Sequence, residues 1–204
     1  MSSATTNERL CYNDNVRTGR TIREALLALV VAFLLIGGVV SPEVASAAPS
    51  PPSPHYPVVW SFLTTAVLSA VQNGPDVAPP GSNVPCTPSA THPYPVVLVH
   101  GLAANQNDNW QTMSPYLADN GYCVFSFTYG NLASLSRPFD EIGGLTDMVA
   151  SAHQLAELVD WVLDATHAPK VDIVGHSEGG TMPDYYLKFL GGSKVVAHFV
   201  MLSG

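Results

Sequence analysis

The amino-acid sequence predicts an α/β fold with a mostly parallel sheet and helices on both faces. From Pro95 onward, short segments rich in Val, Ile and Phe alternate with segments of helical spacing. Such alternation implies crossover connections and therefore parallel strands. The first strand segment, PVVLVHG, is apolar throughout, which is typical of a strand covered on both faces. The chain has 204 residues, enough for one such domain and a tail.

Four strands are predicted in this part of the chain. They are PVVLVHG from Pro95, YCVFSFTYG from Tyr122, KVDIVG from Lys170 and KVVAHFVMLSG from Lys194. In open parallel sheets, functional residues gather at the carboxyl ends of the strands. We therefore expect the functional residues to follow directly after the strands.

Three helices are predicted to connect these strands. The first, DNWQTMSPYLADNG, has Asp108 or Asn109 as its predicted N-cap. The second covers about 146–166, where apolar residues repeat at four-three spacing and give one buried stripe, made of Met148, Ala152, Leu155, Val159 and Val162. The third begins at Glu178 and stops at the glycine pair that starts with Gly191.

Residues 1–47 are predicted to be a secretory signal peptide. Basic residues precede an apolar run, 25–40, and Ala45-Ser46-Ala47 fits the small-residue cleavage rule. The run is shorter than the about 20 apolar residues that a membrane span needs, although a retained membrane anchor is the alternative. We expect cleavage between Ala47 and Ala48 and a secreted, extracellular protein, with translation starting near Val16.

Residues 48–85 are predicted to form a proline-rich linker with a possible short helix, Val58 to Gln72. The prolines that follow this helix are too frequent for regular structure. The folded domain is predicted to cover 86–204.

The two cysteines beyond the signal, Cys86 and Cys123, are predicted to form a disulfide bond. An even pair in an oxidising compartment favours this pairing, while two separate thiols are the alternative. The bond would close a loop of about 37 residues and stabilise the domain by about 4 kcal/mol in the chain-entropy model.

Composition excludes several classes of function. The net charge is −8 with only 8 basic residues, which argues against a nucleic-acid partner because such partners need a basic patch. No Cys/His spacing fits a zinc site, and no phosphate-binding loop with its lysine is present. We expect neither a metal nor another cofactor, and the sequence does not indicate an oligomeric state.

One motif carries chemistry: VDIVGHSEGG, which contains the pattern G-x-S-x-G from Gly175 to Gly179. In this pattern the serine lies on a sharp, strained turn between a strand and a helix, which exposes its hydroxyl above the sheet edge. Glycines flank the serine because strand and helix crowd together there. Ser177 is therefore the candidate nucleophile, and a glycine-rich connecting turn is the alternative.

Stabilisation of an oxyanion would complete such a site. Two backbone N–H groups usually do this, one from the residue after the nucleophile and one from a loop after an earlier strand. Glu178 and Leu102 hold these two positions, and an ordinary loop between strand and helix is the alternative for the segment after His100-Gly101. His100 and His176 each adjoin a glycine turn, and we interpret them as shaping it rather than acting as a base.

These stretches resemble the secreted bacterial class 2 lipases of the α/β-hydrolase superfamily. The resemblance rests on HPYPVVLVHGLAANQNDNWQTMSPYLADNGYCVFSFTYG and KVDIVGHSEGGTMPDYYLKFLGG. It implies the N-terminal part of an α/β-hydrolase fold, Ser177 as nucleophile, an acyl-enzyme, and carboxylic esters, acylglycerols in particular, as substrates. A lipid–water interface is a possible partner. The family often has Gln where this chain has Glu178, and an acid there would slightly disfavour the oxyanion unless it faces solvent.

A general base is harder to assign. The superfamily order is Ser, then Asp or Glu, then His. After Ser177 this order allows only Asp184 and His198, and Asp184 lies about 10 Å along its helix while His198 lies inside a strand. We therefore expect a lipase sequence truncated before its catalytic Asp and His. An inactive secreted remnant or binding protein is one alternative, and a different acyl chemistry at the same serine is another.

The loop and helix after the second strand are a candidate border for an acyl pocket. Leu132, Leu135, Phe139 and Leu145 have apolar side chains suited to it. A loop that only packs on its own domain is the alternative.

Overall fold

The structure, a computed structural model, describes residues 55–204 apart from 75, 133 and 137–138. The predicted signal peptide and the first residues of the predicted linker lie outside these residues. Those that are described pack as one compact unit. Within them, no helix is both long enough and apolar enough to cross a membrane.

Four parallel strands form the sheet, as the sequence predicts. They are β1 (Val96–Val99), β2 (Val124–Phe127), β3 (Val171–His176) and β4 (Val196–Leu202). Their spatial order is β2-β1-β3-β4, so β1 and β3 are the central strands and β4 lies at an edge.

Five α-helices are described. They are α1 (Phe62–Asn73), α2 (Gln106–Trp110), α3 (Met113–Asp119), α4 (Met148–Thr166) and α5 (Glu178–Phe189). Two short 3₁₀ turns, Phe139–Glu141 and Gly192–Lys194, precede α4 and β4. The possible helix of the linker is present as α1, and the single helix predicted after β1 is divided into α2 and α3.

Local chemistry explains this division and corrects the predicted cap. Asn105 is the N-cap of α2, and its side chain accepts hydrogen bonds from the backbone N–H groups of Asn107 and Asp108. The Asp108 carboxylate accepts in return from the Asn105 N–H, so Asp108 is the third helical residue of a capping box. Pro115 lacks the N–H that would bond to the carbonyl four residues earlier, which interrupts the helix around Gln111.

Side chains alternate between the two faces of the sheet, and each face has its own core. Val97, Val99 and Ile173 pack with α4 and α5, where the predicted apolar stripe of α4 is buried except for Met148, which is 39% exposed. Leu98 and its neighbours pack on the opposite face with residues of α2 and α3, including Trp110, Met113 and Leu117. Helices therefore cover both faces, as predicted.

Residues 55–85 contact the sheet domain. Ser82 forms a parallel bridge with Val124, and its hydroxyl lies 2.8 Å from that of Ser126. Cys86 and Cys123 form the predicted disulfide, with Cα atoms 5.6 Å apart. Hydrogen bonds and the disulfide thus hold this proline-rich segment against β2, although the domain boundary at residue 86 remains a prediction.

Candidate active site at the ends of the central strands

The central strands β1 and β3 end side by side, at the point where the strand order reverses. Val99 pairs with Gly175 in the parallel register. The residues that follow these strands, from His100 and from His176, therefore meet at one edge of the sheet. Ligands of open α/β sheets bind at such a switch point.

Ser177 lies on a strained turn directly after β3. Its backbone has φ 53° and ψ −121°, which is outside the regions that non-glycine residues usually adopt. Such a conformation costs of order 1–3 kcal/mol. Two hydrogen bonds hold it, because its N–H donates to the Leu202 carbonyl at 2.9 Å and its carbonyl accepts from the Gly180 N–H at 2.8 Å.

The flanking glycines are required by close backbone contacts. A Cβ atom on Gly175 would collide with the Gly179 carbonyl oxygen. A Cβ atom on Gly179 would collide with the carbonyl oxygens of Val99 and His100. The start of α5 therefore approaches both central strands more closely than any residue with a side chain allows.

The loop after β1 lies against this turn. The position that a Cβ would take on Gly101 is 3.1 Å from the Ser177 Cβ. Among the described residues, the Leu102 N–H has no hydrogen-bond partner, and the Leu102 side chain is 62% exposed. Glu178 is the first residue of α5, where N–H groups lack an intrahelical acceptor. The two predicted oxyanion donors therefore belong to the two segments that meet at Ser177, and their role stays a prediction.

His100 is a buried structural residue. Its Nδ1 lies 2.8 Å from the Gly101 carbonyl, which can only accept, so Nδ1 carries the proton. Its Nε2 accepts from the Tyr129 N–H at 3.2 Å, and the two rings stack at 4.2 Å. Burial lowers the His100 pKa to about 4. A neutral imidazole with both nitrogens occupied has none left to accept a proton from serine.

Asn109 connects the two strand ends, a role that its predicted place as a helix cap did not reveal. Its Oδ1 accepts from the Gly101 N–H at 3.1 Å and lies 3.0 Å from Nδ1 of His176. Nδ1 of His176 must therefore be the donor. This side-chain oxygen fixes the orientation of the His176 ring and the position of the loop after β1.

The carboxyl group of Glu178 turns inward. The residue is half-buried, but its Oε2 is covered and has no hydrogen-bond partner among the described residues. This oxygen lies 3.2 Å from the position of a Cβ on Gly144. Burial raises the Glu178 pKa above its ordinary value. The sequence allowed for a carboxylate that faces solvent, whereas one of its oxygens faces the protein.

The structure does not bring Ser177, Asp184 and His198 together. His198 pairs with Asp172 in the register of β3 and β4, and its Nδ1 bonds to that carboxylate at 2.8 Å. Leu202, four residues later, is the one that pairs with His176. His198 therefore lies about 13 Å from the strand ends that carry Ser177. None of the 7 histidines, all within the described part of the chain, hydrogen-bonds to Ser177.

A cavity of about 570 Å³ adjoins the turn on the α2–α3 face. Its lining is mostly apolar and consists of Trp60, Asn109, Trp110, Thr112, Met113, Tyr116, His176 and Leu202. The residues that the sequence suggested for an acyl pocket are instead exposed, and they are Leu132, Leu135, Phe139 and Leu145. No group of acidic, His or Cys side chains in the described ranges is arranged to hold a metal ion.

Comparisons with known proteins identify the family of the chain. A family model described as lipase (class 2) matches residues 93–200. A triacylglycerol lipase from Burkholderia plantarii is 32% identical over 133 residues, which is 63% of this chain and 34% of that protein. A triacylglycerol lipase from Pseudarthrobacter phenanthrenivorans is 35% identical over 97 residues, 45% of this chain and 27% of that protein. The chain thus spans about a third of the length of the first of these curated relatives and about a quarter of the second.

Proposed function

The chain belongs to the class 2 lipase family, and we propose that the protein hydrolyses carboxylic esters with Ser177 as the nucleophile. The observation that carries this proposal is the strained Ser177 turn after β3, packed against the loop after β1. The family match covers both segments. Few structural needs other than exposure of a hydroxyl explain positive φ at a serine between two crowded glycines.

The reaction follows from this arrangement. The Ser177 Oγ attacks the acyl carbonyl carbon, and the carbonyl oxygen becomes an oxyanion that the Leu102 and Glu178 N–H groups stabilise. The alcohol leaves, and water then hydrolyses the acyl-serine. Attack requires a base to take the serine proton, and no histidine of the described part bonds to Ser177. The contribution of a base can therefore be measured separately from that of the nucleophile and the oxyanion donors.

Acylglycerols are the substrates that the surfaces of the site favour. The cavity beside His176 is mostly apolar, as an acyl chain requires. Leu102, Leu132, Leu135 and Phe139 are exposed, and such apolar side chains suit contact with a lipid–water interface. We also propose that the protein is secreted after cleavage between Ala47 and Ala48, which the disulfide supports because such bonds persist in oxidising compartments.

Hydrolysis of p-nitrophenyl butyrate by the chain and by Ser177→Ala tests the proposal. Without a bonded base, we expect an acceleration over water of at most about 10³–10⁴-fold, the level that remains when triad members are removed. Added imidazole should raise the Ser177-dependent rate because it can act as the base that no histidine bonded to Ser177 provides.

Ser177→Ala measured at the same imidazole concentrations is the matched background, since imidazole attacks this ester by itself. Equal rates for the two proteins at every concentration would contradict the proposal and would favour an inactive secreted remnant or binding protein. A covalent butyryl group found on Ser177 by mass spectrometry would support it directly.

A further inference from the structure

The covered carboxyl oxygen of Glu178 and the Gly101 carbonyl oxygen both adjoin Gly144. The position of a Cβ on Gly144 lies 3.2 Å from Oε2 of Glu178 and 3.1 Å from the Gly101 carbonyl oxygen. Both oxygens therefore converge on one point of the loop before α4. Oε2 is covered and lacks a partner among the described residues. An ionised carboxylate and a carbonyl can only accept hydrogen bonds, so the two oxygens can bond to each other directly only when the carboxyl group carries a proton.

The Gly101 carbonyl belongs to the peptide group that also carries the Leu102 N–H. A trans peptide is planar, and its C=O and N–H point in opposite directions. Whatever fixes the Gly101 oxygen therefore fixes the direction of the Leu102 N–H. Nδ1–H of His100 already donates to this oxygen at 2.8 Å, which leaves one lone pair for a second donor.

Surrounding contacts hold this arrangement in place. The Gly143 N–H donates to the Ala104 carbonyl at 2.7 Å, and the Gly144 N–H donates to the Tyr129 carbonyl at 2.8 Å. Gly144 has φ 69°, and both oxygens border the space that a side chain at this position would take. The loop before α4, the end of β2 and the loop after β1 thus form one packed unit around Glu178.

We propose that Glu178 is a positioning residue whose protonated carboxyl group donates a hydrogen bond to the Gly101 carbonyl and so orients the Leu102 N–H. The bond also polarises the peptide group and makes its N–H a stronger donor. The proposal rests on the proposed function, in which the Leu102 N–H stabilises an oxyanion. In that function Glu178 acts twice, through its own N–H and through its side chain.

The titratable groups around Glu178 do not compensate a negative charge there. Tyr129 and His100 lie at the ends of β2 and β1, and burial keeps both of them neutral, raising the Tyr129 pKa and lowering the His100 pKa. The loop that carries Gly144 contributes the acids Asp140, Glu141 and Asp147, while Asp184 and Lys188 follow on α5 itself. Burial raises the pKa of Glu178, so the proton is retained to higher pH than on an exposed glutamate.

An NMR titration tests the positioning without any need for turnover. In the full chain, the Glu178 side-chain carboxyl carbon, assigned by its loss in Glu178→Gln, should titrate at a pKa above its ordinary value. The Leu102 and Gly144 backbone amide signals should shift with the same midpoint, and these shifts should be absent in Glu178→Gln. A Leu102 amide signal that ignores the titration of Glu178 would overturn the proposal.

Kinetics provide the second readout, with p-nitrophenyl butyrate and added imidazole. Glu178→Ala should lower kcat about 10-fold with little change in KM, because a misdirected donor weakens binding of the transition state rather than of the substrate. Glu178→Gln, whose amide can donate the same bond, should exceed Glu178→Ala about 10-fold. In the wild type kcat should fall as pH rises through the Glu178 pKa, and in Glu178→Gln this fall should disappear.

Asp184→Asn on the same helix is the matched control, since it removes an acid that lies six residues, about 9 Å, further along α5. It should leave kcat and the pH profile unchanged. Equal kcat in the Gln and Ala variants at position 178 would overturn the proposal. If the wild type shows no Ser177-dependent hydrolysis, the proposed function is contradicted instead. The NMR titration would still decide the role of the Glu178 carboxyl group.

Discussion

A histidine side chain lies beside each end of β3, but the two ends differ in backbone geometry and in the partners of that histidine. At its start, Asp172 bonds to His198 at 2.8 Å, and the His198 side chain is 70% exposed. At its end, Ser177 lies in a strained conformation beside His176, whose ring is bonded to Asn109. The first end has an acid–histidine pair without a nucleophile, and the second has a serine without a bonded acid–histidine pair. The comparison teaches that backbone geometry, more than residue type, identifies the candidate site.

The largest expected effect comes from filling the space between α5 and the central strands. Gly179→Ala would place a Cβ against the carbonyl oxygens of Val99 and His100, which cannot move without breaking the sheet. We expect the free energy of unfolding to fall by at least about 3 kcal/mol, measured by urea denaturation. No single substitution of Asp172 or His198 should approach this value.

Gly191→Ala is the matched control for this prediction. Gly191 also has positive φ, at 86°, but no atom lies within 4 Å of its missing Cβ. We expect a loss of about 1 kcal/mol from backbone strain alone. Similar losses in the two variants would mean that contact with the strand ends does not determine the stability of the turn.

The buried histidine at the end of β1 is expected to have the next largest effect. Because burial lowers the His100 pKa from 6.5 to about 4, the unfolded chain binds the proton more readily between these values. Its contribution to stability is therefore full above pH 6.5 and is lost as pH falls toward 4, by about 3 kcal/mol at most. Urea denaturation between pH 4 and 7 measures this slope.

His100→Phe separates this contribution from that of the carboxyl groups. The variant should lose about 2 kcal/mol at pH 7, because the Tyr129 N–H and the Gly101 carbonyl lose their bonds to the ring. The part of the acid slope that His100 causes should disappear. An unchanged slope would show that His100 is protonated in the folded state or does not titrate in this range.

The smallest effect is expected at the start of β3. Asp172→Asn removes the carboxylate that bonds to Nδ1 of the exposed His198, and exposed pairs of this kind contribute about 0–1 kcal/mol. We expect a change of about 0.5 kcal/mol or less in the free energy of unfolding and no change in Ser177-dependent hydrolysis. A marked loss of hydrolysis would mean that the two ends of β3 are coupled and that His198 belongs to the site after all.

The sequence was sufficient for the parts of the molecule that depend on local pattern. Apolar strand segments predict the four parallel strands, and the glycines around Ser177 predict a sharp turn because their spacing reflects contacts between consecutive elements. The N-cap of α2 was misplaced because Asp108 is also a good capping residue. Asn105, three residues earlier, forms the cap, and Pro115 divides the helix.

Other parts of the site depend on contacts between distant segments and could not be read from the sequence. Asn109 hydrogen-bonds to His176, from which it is separated by 67 positions in the sequence. By local criteria Asn109 is an ordinary helix residue. The approach of Gly144 to the Glu178 carboxyl depends on how the loop after β2 folds back. No local pattern specifies such a return, because it is determined by the packing of the whole sheet.

The closeness of Gly179 to the carbonyls of Val99 and His100 has a consequence for protein engineering. Grafting the five-residue motif onto another scaffold would transfer the residues but not the close spacing between helix and sheet on which the serine turn depends. The host would first need a crossing so tight that only hydrogen atoms separate the two main chains. To transfer this site, a designer must therefore first choose a backbone with such a contact, and only then introduce the serine.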